Sequence, residues 1–237
     1  MVMQDAARQV DARDVDAAPV TSEDAAVDAG CSISSGVTLA LDGIDDLGKY
    51  PAAQHLTPGA MLGADAAAIA WDSSHLFVTL SSSAFVAAYA PLHVYVETGS
   101  VLATESAGQG KEYGGLVPAL PFTPTHAIGA RRVSDAGTGG YNGVYVPADQ
   151  WQTRSVAIDD HTFVASDQRT LSVRVSWSAL GGCPTAMRLA LHVVHGVSAN
   201  EWKDLVPPTH TPWLAPGGGF YEIDLTAAPA VSGWTLR

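Results

Sequence analysis

The sequence lacks a hydrophobic run long enough to cross a membrane, and it has few basic residues. No stretch approaches the roughly 18 consecutive apolar residues that a spanning helix requires, so we predict no membrane span. Twelve Lys and Arg residues stand against 24 Asp and Glu residues, which gives a formal net charge of −12. Because this charge repels phosphate backbones, the sequence predicts no nucleic-acid partner and favours a soluble monomer.

Cysteine is also scarce, since Cys31 and Cys183 are the only two in 237 residues. We predict a disulfide between them, which would tie the start of the folded region to a late loop. Two buried free thiols and lipidation of Cys31 are the alternatives. The start of the sequence shows no signal-peptide pattern, but scarce lysine and the bridge favour a secreted or cell-surface protein whose signal segment is absent from this sequence. A cytosolic protein is the alternative.

The first 32 residues differ in composition from the rest of the chain. Between Asp5 and Gly30 there are seven acidic residues, two arginines and no aromatic residue. Such a segment cannot bury enough apolar surface to offset the entropy lost on ordering. We therefore predict a disordered Asp/Ala-rich leader at 1–32 and a single folded domain at 33–237.

After the leader, apolar residues recur at every second position, which is the period of a β-strand with one buried face. Residues 37–41 show this pattern first. Residues 68–71 and 76–80 flank a turn rich in Asp and Ser and predict a hairpin. Together, these runs favour an all-β fold, a two-sheet antiparallel sandwich of jelly-roll type with about ten strands. Further predicted strands lie at 92–97, 127–133, 144–146, 155–158, 162–165, 171–177, 189–194 and 220–225.

Four segments carry a shared family pattern. Residues 41–46 read Leu-Asp-Gly-Ile-Asp-Asp, and residues 69–78 contain Trp71-Asp72 followed by Leu-Phe-Val. Trp177-Ser-Ala-Leu-Gly then ends a later strand, and residues 220–225 form an apolar closing strand. This arrangement resembles the family 9 carbohydrate-binding modules and their DOMON-like relatives, over roughly residues 37–237. The resemblance implies an extracellular sugar-binding or accessory domain, although relatives bind sugars, haem or nothing known.

The six tryptophans fall into two groups. Trp71 and Trp177 lie in apolar strands, which predicts core positions. The other four, Trp151, Trp202, Trp213 and Trp234, lie in or beside loops. Trp202 and Trp213 belong to residues 200–213, which we interpret as one proline-braced loop that combines indole rings with amide and carboxylate groups. Aromatic faces and polar groups together are what sugar recognition requires, whereas a loop that only caps the sandwich is the alternative. The predicted glycan-contacting residues are Trp202, Trp213, Tyr141, Tyr145, Asn142, Trp151, Glu201 and Asn200.

Two further segments contribute to this prediction. Tyr141 and Tyr145 flank Asn142 on a hairpin and, by strand alternation, face one side, although ordinary hairpin packing explains them equally. Residues 99–124 form a long excursion rich in Gly and Pro, which holds Lys111 and Glu112. An irregular segment of this length favours a binding loop.

A cofactor is not predicted, with a structural calcium ion as the alternative. Asp42, Asp45 and Asp46 cluster in one glycine-containing turn and would offer oxygen ligands, although their spacing does not fit an EF-hand. Haem binding would require axial ligands such as Met61, Met187 or a histidine, and no motif indicates it.

The sequence contains no catalytic signature. It has neither a G-x-S-x-G elbow nor an H-E-x-x-H helix, so we predict no catalytic residue and no enzyme activity. The predicted function is a noncatalytic domain that binds a glycan or polysaccharide through loop aromatics. A structural or adhesion sandwich without a sugar site and a haem-binding DOMON-like domain are the alternatives.

Overall fold

The computed structural model describes residues 33, 36–56, 64–87, 90–112, 117–131, 142–147, 151, 154–156, 162–164, 167–194, 202–206, 219–227 and 234–236. The predicted leader lies outside these residues. Cys31 also lies outside them, so its bridge to Cys183 stays a prediction.

The described residues fold mainly into β-strands, with one short helix, α1, at Ala84–Ala87 and three 3-10 turns at Asp46–Lys49, Ala52–Gln54 and Ser178–Leu180. The strands are β1 (His55–Leu56), β2 (Ala64–Trp71), β3 (His75–Ser82), β4 (Leu92–Gly99), β5 (Gly108–Gln109), β6 (Ala119–Leu120), β7 (His126–Ala130), β8 (Gly143–Tyr145), β9 (Arg154–Val156), β10 (Thr162–Val164), β11 (Thr170–Ser176), β12 (Ala186–Val194), β13 (Trp202–Val206), β14 (Tyr221–Asp224) and β15 (Trp234–Leu236).

Two large antiparallel sheets dominate the described part of the chain. The five-stranded sheet has the order β1-β2-β3-β11-β10, and the eight-stranded sheet has the order β15-β14-β12-β4-β7-β8-β9 with β13 also paired to β12. The predicted hairpins β2–β3 and β7–β8 both form. The prediction of an all-β sandwich is therefore confirmed.

The long strand β12 organises the eight-stranded sheet. One edge of β12 pairs with β4 along residues 186–193. Its other edge is shared, since β14 pairs with residues 186–189 and β13 pairs with residues 191–194. Antiparallel pairing on both edges satisfies the backbone groups of β12, so its outward side chains have a fixed position.

The main core lies between the two sheets. Alternate residues of facing strands meet there, among them Trp71 and Val173 from the five-stranded sheet and Val94, Leu189 and Ile223 from the eight-stranded sheet. The period-two pattern of the sequence is the cause, because every second side chain of a strand points to the same face. The predicted core positions of Trp71 and Trp177 are confirmed, since each is 1% exposed.

The residues of the family-like pattern stabilise turns. Asp72 Oδ1 accepts hydrogen bonds from the backbone N–H groups of Ser74 and His75, both at 2.7 Å, and so closes the β2–β3 hairpin. Trp177 Nε1 donates to the Asp72 carbonyl at 2.8 Å. Gly181 follows with a φ of 90°, a conformation that glycine adopts without strain. These contacts give the residues of the family-like pattern a role in stabilising the fold that does not depend on ligand binding.

The outer face of the five-stranded sheet is covered by residues 36–56. Leu39, Leu41 and Tyr50 pack there on Phe77 and on two alanines of β2, Ala68 and Ala70. The predicted strand at 37–41 is wrong, because residues 36–42 pair with no strand and instead bury alternate side chains as a covering segment.

The outer face of the eight-stranded sheet is covered by the excursion between β4 and β7. Leu120 and Phe122 from this excursion are fully buried together with Tyr95, Tyr145 and Trp151. Strand alternation places Tyr95 on the side opposite Val94, away from the main core. Across the described ranges, no helix has the length and apolar character of a membrane span.

Candidate functional site

A cleft of about 560 Å³ lies where the covering excursion meets Trp151. Residues 107–110 and Glu112 line it from the first limb of the excursion, and residues 123–124 line it from the last. Trp151 and Pro147 line it from the chain after β8. The predicted binding loop at 99–124 thus supplies most of the described lining.

The excursion is anchored at the cleft by a two-stranded arm. β5 pairs with β6, and the backbone N–H of Gly110 donates to the Pro118 carbonyl at 2.8 Å. Phe122 packs edge-on against Phe220, with ring centroids 5.6 Å apart. Because β5 and β6 are paired and Phe122 packs on a buried ring, the described part of the arm has a fixed position beside the cleft.

Trp151 is held in place by its backbone and by its ring. Its φ of 67° lies in the left-handed region, which costs a non-glycine residue about 1–2 kcal/mol. The indole Nε1 donates to the Gln109 carbonyl at 3.2 Å, and the ring stands edge-on to Tyr95 at 6.2 Å. Only 4% of Trp151 is exposed, so it closes one side of the cleft and offers little surface for stacking.

Lys111 connects the arm to the layer beneath it. Its Nζ donates to the Trp151 carbonyl at 3.0 Å and lies 4.4 Å from the centre of the Tyr145 ring. Its backbone N–H donates to Tyr95 Oη at 3.0 Å. The ammonium group is therefore directed into the protein, where a cation over an aromatic ring contributes about 1 kcal/mol.

Two histidines lie directly under Tyr95. His93 and His192 face each other across β4 and β12, and His93 Nδ1 is 3.1 Å from Tyr95 Oη. The His192 ring stands edge-on to Tyr95 at 5.0 Å. Burial lowers the pKa of His192 to about 3, while burial and the charges of His192 and Lys111 hold the pKa of His93 well below its usual value. Both rings are therefore neutral at neutral pH.

A buried ion network fixes the start of the excursion to the same sheet. Arg188 Nη1 donates to Glu97 Oε2 at 3.0 Å and to the Ala103 carbonyl at 2.8 Å, while its Nε donates to Glu222 Oε2 at 3.1 Å. Glu97 Oε1 accepts from the Ala103 backbone N–H at 2.7 Å. The guanidinium group also lies 5.4 Å from the centre of the Phe220 ring. This network fixes the segment that leads into the arm.

The predicted aromatic loop differs from the structure in one respect. Trp202 is the first residue of strand β13 and pairs with Val194, so residues 202–206 are not part of a loop. Residues 202–206 read Trp-Lys-Asp-Leu-Val, which does not alternate between apolar and polar, so the pattern does not indicate a strand. Asn200, Glu201 and Trp213 lie outside the described residues.

The described hairpin residues of the prediction make contacts within the protein. Tyr145 is buried beneath the Lys111 ammonium, so it offers no exposed ring. The Oδ1 atom of Asn142 accepts from the Arg131 backbone N–H at 2.8 Å, and the Asn142 carbonyl accepts from Arg154 Nη1 at 2.9 Å. Both bonds stabilise the hairpin. Tyr141 lies outside the described residues.

The three aspartates of the predicted calcium turn have different environments. Asp46 is fully buried, and its carboxylate accepts from Lys49 Nζ at 2.9 Å, from Ser172 Oγ at 2.7 Å and from backbone N–H groups of its own turn. Lys49 Nζ also bonds Asp42, whereas Asp45 is exposed. A calcium ion would have to displace this ammonium group. Within the described ranges, no group of three or more His, Cys, Asp or Glu side chains is placed to hold a metal ion.

We expect Asp46→Asn to lower the free energy of unfolding by about 1–3 kcal/mol. The asparagine side chain is uncharged, so the ion pair is lost, and its NH₂ group cannot accept hydrogen bonds from the backbone N–H groups of the turn. Urea denaturation measures this loss. Asp45→Asn is the matched control, since Asp45 is exposed at a φ of 45° that asparagine tolerates, and it should change stability by less than about 0.5 kcal/mol. Equal effects of the two substitutions would contradict a structural role specific to Asp46.

The axial ligands suggested for haem do not converge in the described residues. Met187 lies in the core between the sheets, while His192 lies on the outer face of the same strand. Side chains five positions apart on one strand point to opposite faces, so these two cannot ligate one haem from both sides. Met61 lies outside the described residues.

Comparison of the chain with protein-family models, with curated proteins and with solved structures finds no match. The resemblance to family 9 carbohydrate-binding modules and DOMON-like domains therefore stays a prediction.

Proposed function

We propose that this protein is a noncatalytic glycan-recognition domain that binds a saccharide in the cleft between the arm and Trp151. The observation that carries the proposal is the mixture of surfaces in one preformed space. Val117, Pro124 and Pro147 offer apolar surface for the C–H groups of a sugar, while Gln109 and Thr123 offer hydrogen-bonding groups for its hydroxyls. This differs from the sequence prediction, which relied on stacking rings.

The rigidity of the cleft supports the same proposal. Gln109 belongs to the paired strand β5, and its carbonyl is bonded to the Trp151 indole. Thr123 follows the buried Phe122, and its Oγ1 lies 3.0 Å from Ser106 Oγ. The backbone of Gln109 and the hydroxyl of Thr123 are therefore held in position, which limits the conformational freedom lost on binding. Export to the cell exterior, where polysaccharides are met, is part of the proposal.

The test is saccharide binding by a double variant, Gln109→Ala with Thr123→Ala. Each lost hydrogen bond is worth about 0.5–1.5 kcal/mol, so we expect about a tenfold weaker affinity for whichever saccharide a glycan array identifies. Isothermal titration calorimetry measures the affinity, and the melting temperature should stay within a few degrees.

The control is Thr104→Ala with Glu105→Ala, which changes two exposed residues of the same excursion outside the described cleft lining. This control should leave affinity unchanged. A weakening equal to that of the cleft variant would place binding elsewhere. An array without any saccharide signal would remove the proposal and favour the structural or adhesion alternative.

A further inference from the structure

The cleft has an acidic lining. Among the described residues that line it, Glu112 is the one ionisable side chain, and it is exposed. Glu112 lies three residues beyond Gln109, and both residues line the same cleft.

The neighbouring Lys111 does not neutralise the negative charge of Glu112. Lys111 Nζ is engaged with the Trp151 carbonyl and the Tyr145 ring, on the protein side of Trp151. Lys111 is not among the cleft-lining residues. A ligand in the cleft therefore meets the Glu112 carboxylate directly, while the ammonium of Lys111 is committed to the supporting layer.

We infer that the cleft selects saccharides that carry a primary ammonium group, as in de-N-acetylated hexosamine units, over neutral and uronic-acid saccharides. The inference rests on the proposed function, since it names the class of sugar for the same site. An ammonium group would form a charge-assisted hydrogen bond with Glu112, which is about twice as strong as a neutral one. The net charge of −12 repels the carboxylates of uronic acids, which also favours saccharides with an ammonium group.

The experiment compares three oligosaccharides of equal length, a glucosamine hexamer, an N-acetylglucosamine hexamer and cellohexaose, by titration calorimetry at pH 6. We expect the wild type to bind the glucosamine hexamer about tenfold more tightly than cellohexaose. Glu112→Gln should reduce this ratio to about one. Glu105→Gln is the matched control, because it removes the same charge from an exposed position on the same excursion outside the described lining.

Each failure has a separate signature. A wild type that binds the glucosamine hexamer and cellohexaose equally overturns the inference and leaves glycan binding intact. A preference that Glu112→Gln retains, or that Glu105→Gln removes equally, also overturns it, because attraction would then come from the overall negative charge. If none of the three hexamers binds, the inference is wrong. The glycan array of the wild type and calorimetry of the Gln109 and Thr123 variant then decide the proposed function independently.

Discussion

Arg188→Ala should lower the free energy of unfolding by about 3–5 kcal/mol, which is the usual cost of removing one partner from a buried ion pair. The loss is large because Glu97 would remain buried without its guanidinium partner. The Arg188 and Glu97 side chains are 8% and 6% exposed, whereas Glu222 is 27% exposed and can turn to water. Urea denaturation at pH 7 and moderate ionic strength measures the change.

Two further variants separate the ion network from general effects of losing an arginine. Arg169→Ala removes an exposed arginine and should change stability by less than about 0.5 kcal/mol. Arg188→Met combined with Glu97→Leu removes both buried charges and should recover at least half of the loss, because an apolar pair of similar volume leaves no unpaired charge. A double variant less stable than Arg188→Ala would contradict this account.

Most strands of the two sheets could be predicted from the sequence because the alternation of apolar and polar residues is visible within each strand. Alternation of apolar and polar residues defined β2, β3, β4 and β11 within a few positions of their observed ends. The same rule failed at residues 37–41, where a covering segment buries alternate residues without pairing. Periodicity reports which side chains are buried, whereas strand pairing depends on partners distant in the sequence.

The cleft could be predicted only in part. The excursion at 99–124 stood out through its length and its glycines, which sequence alone displays. Gln109, Thr123 and Pro147 gave no signal, because they become neighbours only when the arm folds back over the sheet. The prediction put Tyr145 at the surface, whereas it is buried beneath Lys111. Lys111 lies 34 positions away in the chain, so the sequence does not show this contact. Composition does not reveal such tertiary contacts.

The buried histidine pair should make the protein unstable in mild acid. In the unfolded chain each histidine takes up a proton near pH 6.5, whereas burial lowers the pKa of His192 in the folded state to about 3. Because the unfolded state binds more protons, stability falls as the pH drops below 6.5 and continues to fall until about pH 3. His192 alone should cost about 2 kcal/mol between pH 7 and pH 5, and His93 acts in the same direction.

Urea denaturation of the wild type and of His192→Phe at pH 7 and pH 5 isolates this contribution. Carboxylate titration is common to both proteins, so the difference between their pH dependences belongs to His192, and we expect the variant to lose about 2 kcal/mol less than the wild type. Identical pH dependences would mean that His192 is not buried as a neutral ring.

The acid effect should also reach the cleft, because the histidines contact Tyr95 and Tyr95 contacts both Trp151 and Lys111. Protonation of either ring would place a positive charge beneath the Lys111 ammonium and loosen the support of Trp151. Because burial holds the pKa of His192 at about 3 and the pKa of His93 well below its usual value, the folded protein should keep its saccharide affinity between pH 7 and pH 5. The affinity should fall only toward about pH 3, and His192→Phe should lessen that fall. A loss of affinity between pH 7 and pH 5, while the protein remains folded, would contradict the burial of both rings as neutral groups.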